Sequence, residues 1–201
     1  MARNELVAAL GLSMHTGWAV AVVVSGTTDD PQVVERRRLT LCDESLPRMV
    51  FHACEGLPVD EAEHLVGQVR DSAAALTERG IGDLVEARRR ADDPIRAVVL
   101  VGKEPEPPPD LPTVLGSHRL IHTAEGALYK ELAADACRRA RLRPAYEPPK
   151  DLPAAVAGAL GVDEGTVAEL LTRTGKALGP PWQADHKHAF LAALLHAASR
   201  D

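Results

Sequence analysis

The stretch Leu10–Gly26, LGLSMHTGWAVAVVVSG, decides how the rest of the chain is read. Its first residues close the run Glu5 to Leu12 (ELVAALGL), which is mostly apolar and short. Such a run fits a strand covered on both faces. A tight loop follows. Thr16 to Ser25 (TGWAVAVVVS) is then rich in β-formers and closes at Gly26. The first strand therefore carries a neutral polar residue, Ser13, to its carboxyl end. GTTDDPQ is a turn by composition. Gln32 to Leu41 (QVVERRRLTL) is a third strand, whose charged centre suits an edge or a wet face. Three strands on short connections predict an antiparallel meander.

Helices and strands alternate beyond it. DEAEHLVGQVRDSAAALTERG places Leu65, Val69 and Leu76 on one stripe with Ala62 and Ala73, with Asp60 as N-cap and Gly80 as a C-terminal stop. IGDLVEARRRADD continues as helix and ends in arginines, as the helix dipole favours. Pro94 to Gly102 (PIRAVVLVG) reads as a buried strand. It leads through Lys103 and Glu104 into PEPPPDLP, a loop that can be neither helix nor central strand. Thr123 reads as the N-cap of AEGALYKELAADACRRARL, in which Leu128, Leu132, Ala136 and Ala140 recur every fourth residue. RPAYEP is a short fifth strand. DLPAAVAGALG and VDEGTVAELLTRTG follow as two short helices, and Trp182 anchors the apolar C-terminal helix QADHKHAFLAALLHAAS. The order predicts one α/β domain over residues 1–201. Its five-stranded mixed sheet has three antiparallel strands, then two parallel ones, with helices on both faces.

Composition narrows the function classes. Aromatic residues are 3% of the 201, so base-stacking platforms are scarce, and the net charge of −6 is unlike that of a general duplex-binding protein. Local basic clusters (Arg36–Arg38, Arg88–Arg90, Arg138 to Arg143) read as solvated helix ends and strand edges or as phosphate contacts. Cys42, Cys54 and Cys137 have no CxxC spacing and indicate neither a disulfide framework nor a zinc knuckle. Arg3, Asn4 and Glu5 interrupt any secretory signal, and the longest apolar run, Trp18 to Val24, is far short of a membrane span. The expected protein is cytoplasmic. RTGKALG lacks the glycine and hydroxyl residue of a phosphate loop. SHRLIHTAEG holds His118, His122 and Glu125, a zinc-like spacing if helical. Gly116 and the cap expected at Thr123 instead suggest loop or strand, where the two histidines sit too far apart to share an ion. His118 and His122 are then expected to line a cleft beside Glu104 or to hydrogen-bond loop backbone.

The element order and three motifs resemble the ribonuclease H-like superfamily, in particular its RuvC-like branch of Holliday-junction resolvases. LGLSMHTGWAV is similar to a first-strand motif that delivers an aspartate, RAVVLVGKE to a fourth strand ending in a catalytic glutamate, and DHKHAFLAALLHA to a C-terminal helix opening with two metal ligands three apart. The resemblance implies a metal site of Ser13, Glu104, Asp185 and His188, with Glu104, Asp185 and His188 catalytic and His15 near the same edge. It also implies Mg²⁺ or Mn²⁺ as cofactor if the chain is active. One Mg²⁺ would activate water and a second would stabilise the leaving oxygen. Ser13 departs from that pattern: Mg²⁺ gains much of its binding from carboxylates, and this set offers only two. Histidine with carboxylate suits Mn²⁺ or Zn²⁺ better. The expectation is a lapsed nuclease acting as a binding module for nucleic acid or a protein partner, with a homodimer compatible. The alternative is an active metal-dependent nuclease with altered ligands.

Overall fold

The computed structural model describes residues 5–198. Five strands, β1 (Glu5–His15), β2 (Trp18–Thr27), β3 (Pro31–Thr40), β4 (Ala97–Val101) and β5 (Pro144–Glu147), form one sheet in the order β3-β2-β1-β4-β5. β1 to β3 are antiparallel neighbours, and β4 and β5 run parallel to β1. β1 continues through Ser13 to His15, where Gly17 at φ +81° closes a tight hairpin onto Trp18. Residues assigned to a loop from sequence are thus strand.

Alternation splits the core into two layers. Leu10, Leu12, Ala21, Val23, Val98 and Leu100 face one side, under the long helix α2 (Val59–Arg90) and α4 (His118–Arg139). Ala9, Val20, Val22, Val24, Val99 and Val101 face the other, under α5 (Leu152–Leu160), α6 (Glu164–Leu178) and α7 (Ala184–Ala198). A register shift between Leu6 and Ala9 lets Leu6 join the second layer although Ala8 joins the first. Two short helices complete the set, α1 (Val50–Ala53) and α3 (Leu111–Leu115).

Three boundaries differ from the sequence reading. α2 does not stop at Gly80 but runs to Arg90, because Ile81 and Leu84 beyond it are buried in the first layer and outweigh the local preference of glycine. α2 starts at Val59, which places Asp60 inside the first turn instead of at the cap. α4 begins at His118, five residues before the expected cap. Thr123 lies within the helix and its hydroxyl donates to the Arg119 carbonyl. Burial of Ile121 and Ala124 in the first layer keeps this opening part of α4 helical.

α7 positions the functional edge. Its small residues let it sit close to β1: at Gly11 an added Cβ would lie 1.9 Å from the Ala189 carbonyl oxygen. The connection before it is tied down twice. The Arg36 guanidinium on β3 donates to the carbonyls of Gly179 (3.0 Å) and Pro181 (2.7 Å). The Trp182 indole donates to the Leu171 carbonyl at 3.0 Å and packs edge-on against Phe190.

Candidate functional site

The carboxyl end of β1 meets the amino end of α7. Ser13, only 5% exposed, donates its hydroxyl to Asp185 Oδ1 at 3.2 Å, and His15 Nε2 donates to the same oxygen at 2.9 Å. Asp185 lies in the first turn of α7. The His15 ring stacks on Trp18 with centroids 4.0 Å apart and planes 5° from parallel, and the Arg38 guanidinium lies 3.7 Å from the Trp18 ring centroid. A cation–π contact at that distance is worth about 0.5–1 kcal/mol at an exposed site. The result is a chain of contacts, Arg38–Trp18–His15–Asp185, running from the edge strand to α7. Beside it, Trp18, Arg38, Arg48, Asp43 and Glu44 line an open cleft of about 430 Å³.

The other expected ligands are placed differently. The β4 residue registered with Ser13 is Val101, which packs into the α7 layer. Glu104 lies beyond it on the side of α2 and α4, in a cleft with Arg70, Glu131, Arg138 and Tyr146. His118 and His122, expected beside Glu104, do not line that cleft; they lie on the first turns of α4, next to His52 of α1. The Tyr146 hydroxyl is pushed above its ordinary value by burial first and then by the nearby Glu104 charge. His188 is half-buried one turn after Asp185 and makes no side-chain hydrogen bond among the described residues. His186, between them in sequence, is buried. Burial and the Arg36 charge hold its imidazole below the ordinary value, against the opposing pull of Asp185.

The hydrogen-bonded group at this edge joins one carboxylate, one hydroxyl and one imidazole, with both donors spent on a single Asp185 oxygen. Two adjacent dications need several anionic oxygens between and around them. Val101 supplies none, and the trio of Ser13, His15 and Asp185 by itself does not fit a two-Mg²⁺ centre. Among the described residues, the one trio of His, Cys, Asp or Glu whose ligand atoms converge within 4.8 Å is His52, His118 and His122.

With this geometry in hand, two solved structures are informative. The chain is similar to RuvC of T. thermophilus in complex with a Holliday junction substrate, at 12% identity and a TM-score of 0.54 over 96% of this chain and 93% of that one. It is also similar to a second Thermus thermophilus RuvC structure, at 11% identity and a TM-score of 0.52 over 96% and 94% of the two chains. The fold is RuvC-like. No protein-family model matches the chain, and no curated protein matches it in sequence. No described helix is long and apolar enough to cross a membrane.

His52 and the pairing of Arg38 with Trp18 were not singled out by sequence reasoning. His52 lies in a segment without periodicity, and its position depends on α1 packing against α4. Arg38 was visible only as part of an arginine run, and Trp18 only as the start of an apolar run.

Proposed function

We propose that this chain is a RuvC-like module whose metal-dependent cleavage has lapsed and whose task is to bind nucleic acid in the cytoplasm. One observation carries the reading: the carboxylate that would hold a metal, Asp185, is bonded to Ser13 and His15, with an apolar Val101 at the adjoining strand end. Two features support a retained binding role. The Arg38–Trp18–His15 stack joins a cation to aromatic faces beside that edge, with Arg48 lining the same cleft. The similar RuvC structure is of a complex with a Holliday junction substrate. Arginine over an aromatic ring suits phosphate and unstacked bases together. Three free, buried cysteines accord with a reducing compartment.

Electrophoretic mobility assays with four-way, duplex and single-stranded DNA over a salt series test this. The unmodified chain should bind branched DNA. Arg38→Ala with Arg48→Ala should weaken binding and reduce the log–log salt slope by about 1.8, roughly 0.9 for each phosphate no longer neutralised. Absence of DNA binding at low salt would overturn the binding role and favour a protein partner. Mg²⁺-dependent cleavage would instead promote the alternative, an active nuclease with altered ligands.

A further inference from the structure

The fold gathers three histidines away from the β1 edge. His118 and His122 lie one turn apart on α4, and α1 brings His52 over them, so that one potential ligand atom from each falls within 4.8 Å of the others. The Nε2 atoms of His118 and His122 face each other at 3.1 Å. That is close to the spacing of about 3.3 Å between two tetrahedral ligands held at the usual zinc–nitrogen distance of about 2.0–2.1 Å.

Two of the three outer nitrogens are held by carboxylates. His52 Nδ1 lies 3.2 Å from Glu125 Oε1, and His118 Nδ1 lies 3.5 Å from Glu55 Oε1. An Nδ1–H given to a carboxylate selects the tautomer whose Nε2 lone pair is free for a metal, and it raises the basicity of that nitrogen. Glu125 is only 4% exposed. Its Oε1 also accepts the His52 backbone N–H at 3.1 Å, while its Oε2 is buried with no hydrogen-bond partner. The sole ion-pair partner of Glu125 among the described residues is His52. A buried carboxylate without a full positive charge nearby is costly. A dication held by the His52 imidazole would supply that charge.

We propose that His52, His118 and His122 bind one Zn²⁺-class divalent ion through their Nε2 atoms, with Glu125 and Glu55 as positioning residues for His52 and His118. Three imidazoles select Zn²⁺ and its transition-metal neighbours over Mg²⁺, which takes oxygen ligands. The His118 side chain is 67% exposed, so the fourth position opens to solvent and takes water or a donor from a bound partner. This site is independent of the reading of the β1 edge.

The test is titration of metal-free protein with Zn²⁺ by calorimetry and with Co²⁺ by visible absorption. The expected result is one equivalent bound and the intense Co²⁺ bands of a four-coordinate site, with affinity falling as pH is lowered and protons compete for the nitrogens. His118→Gln with His122→Gln alters only exposed side chains, so the fold should persist by circular dichroism while Zn²⁺ affinity falls at least about 100-fold. Glu125→Gln keeps all three nitrogens. It should preserve the one-to-one stoichiometry and lower the affinity about 10–100-fold, as loss of an outer carboxylate does elsewhere. Unchanged affinity would remove Glu125 from its positioning role. Absence of saturable binding in the unmodified protein would overturn the site, as would undiminished binding in the double histidine variant. Loss of the Zn²⁺ equivalent in Asp185→Asn would place the ion at the β1 edge instead.

Discussion

Substituting Gly11 by alanine tests the contact through which α7 reaches the end of β1. An ideal Cβ at Gly11 would stand 1.9 Å from the Ala189 carbonyl oxygen, 2.8 Å from its carbonyl carbon and 3.1 Å from its Cα. To open the shortest of these even to 3.0 Å, helix and strand must separate by about 1.1 Å. Both sides of the contact are backbone, so no side chain can rotate away. The helix that must move buries Ala189, Phe190, Leu191, Ala192, Ala193 and Leu194 almost completely. Overpacking a core commonly costs about 1–3 kcal/mol, and rigidity on both sides puts this case at about 3 kcal/mol. At about 2–4 °C per kcal/mol for a chain of this size, Gly11→Ala should lower Tm by about 6–12 °C. It should also loosen the 3.2 Å hydrogen bond from Ser13 to Asp185, which lies one turn before Ala189. Urea unfolding with a thermal scan measures the loss. A destabilisation under about 1 kcal/mol would refute close packing of α7 on β1.

Three further outcomes are expected. Arg36→Ala should destabilise by about 2 kcal/mol, because a charged donor to the Gly179 and Pro181 carbonyls is lost; Arg36→Lys should recover little, since one ammonium cannot reproduce the fork, and full recovery would contradict this. His186 is held below its ordinary value mainly by burial, so the unfolded chain takes up this proton first. Its stabilising contribution is whole above about pH 6.5 and is lost as pH falls through the lowered value. His186→Gln should flatten that part of the stability profile, and an unchanged acid slope would refute it. Ser13→Asp places a second carboxylate beside Asp185. It should lower Tm in chelator through like-charge repulsion and raise Mn²⁺ affinity about tenfold or more by calorimetry, whereas unchanged affinity would show that Ser13 is not what the edge lacks.

The sheet was legible because β1, β2 and β4 are apolar runs bounded by turns, a pattern that speaks directly to burial on two faces. Element ends were less so. Gly80 breaks helices in isolation, and only the burial of Ile81 and Leu84 against the sheet carries α2 past it. The start of α4 was misplaced for the same kind of reason. Thr123 satisfies a local capping rule, yet Ile121 is buried and keeps the preceding turn helical, which brings His118 and His122 onto one face. At the β1 edge, Ser13 and Asp185 were nameable from motif order. The side of the sheet taken by Glu104 was not, because the turn at Gly102, with φ +120°, leaves no periodic trace. His52 was invisible because its partners lie 66 and 70 residues away in sequence (118 − 52 and 122 − 52).

The central claim is that the β1 edge no longer supports metal-dependent cleavage. The most direct measurement incubates the unmodified chain with four-way, duplex and single-stranded DNA and with RNA–DNA hybrid, in Mg²⁺ and separately in Mn²⁺, and follows strand scission. With Asp185 hydrogen-bonded to Ser13 and His15, Val101 in register with Ser13, and Glu104 in the cleft with Arg70 and Glu131, the predicted result is no metal-dependent scission of any substrate above a chelator control. Robust cleavage in Mg²⁺ that Glu104→Gln or Asp185→Asn abolishes would contradict the account.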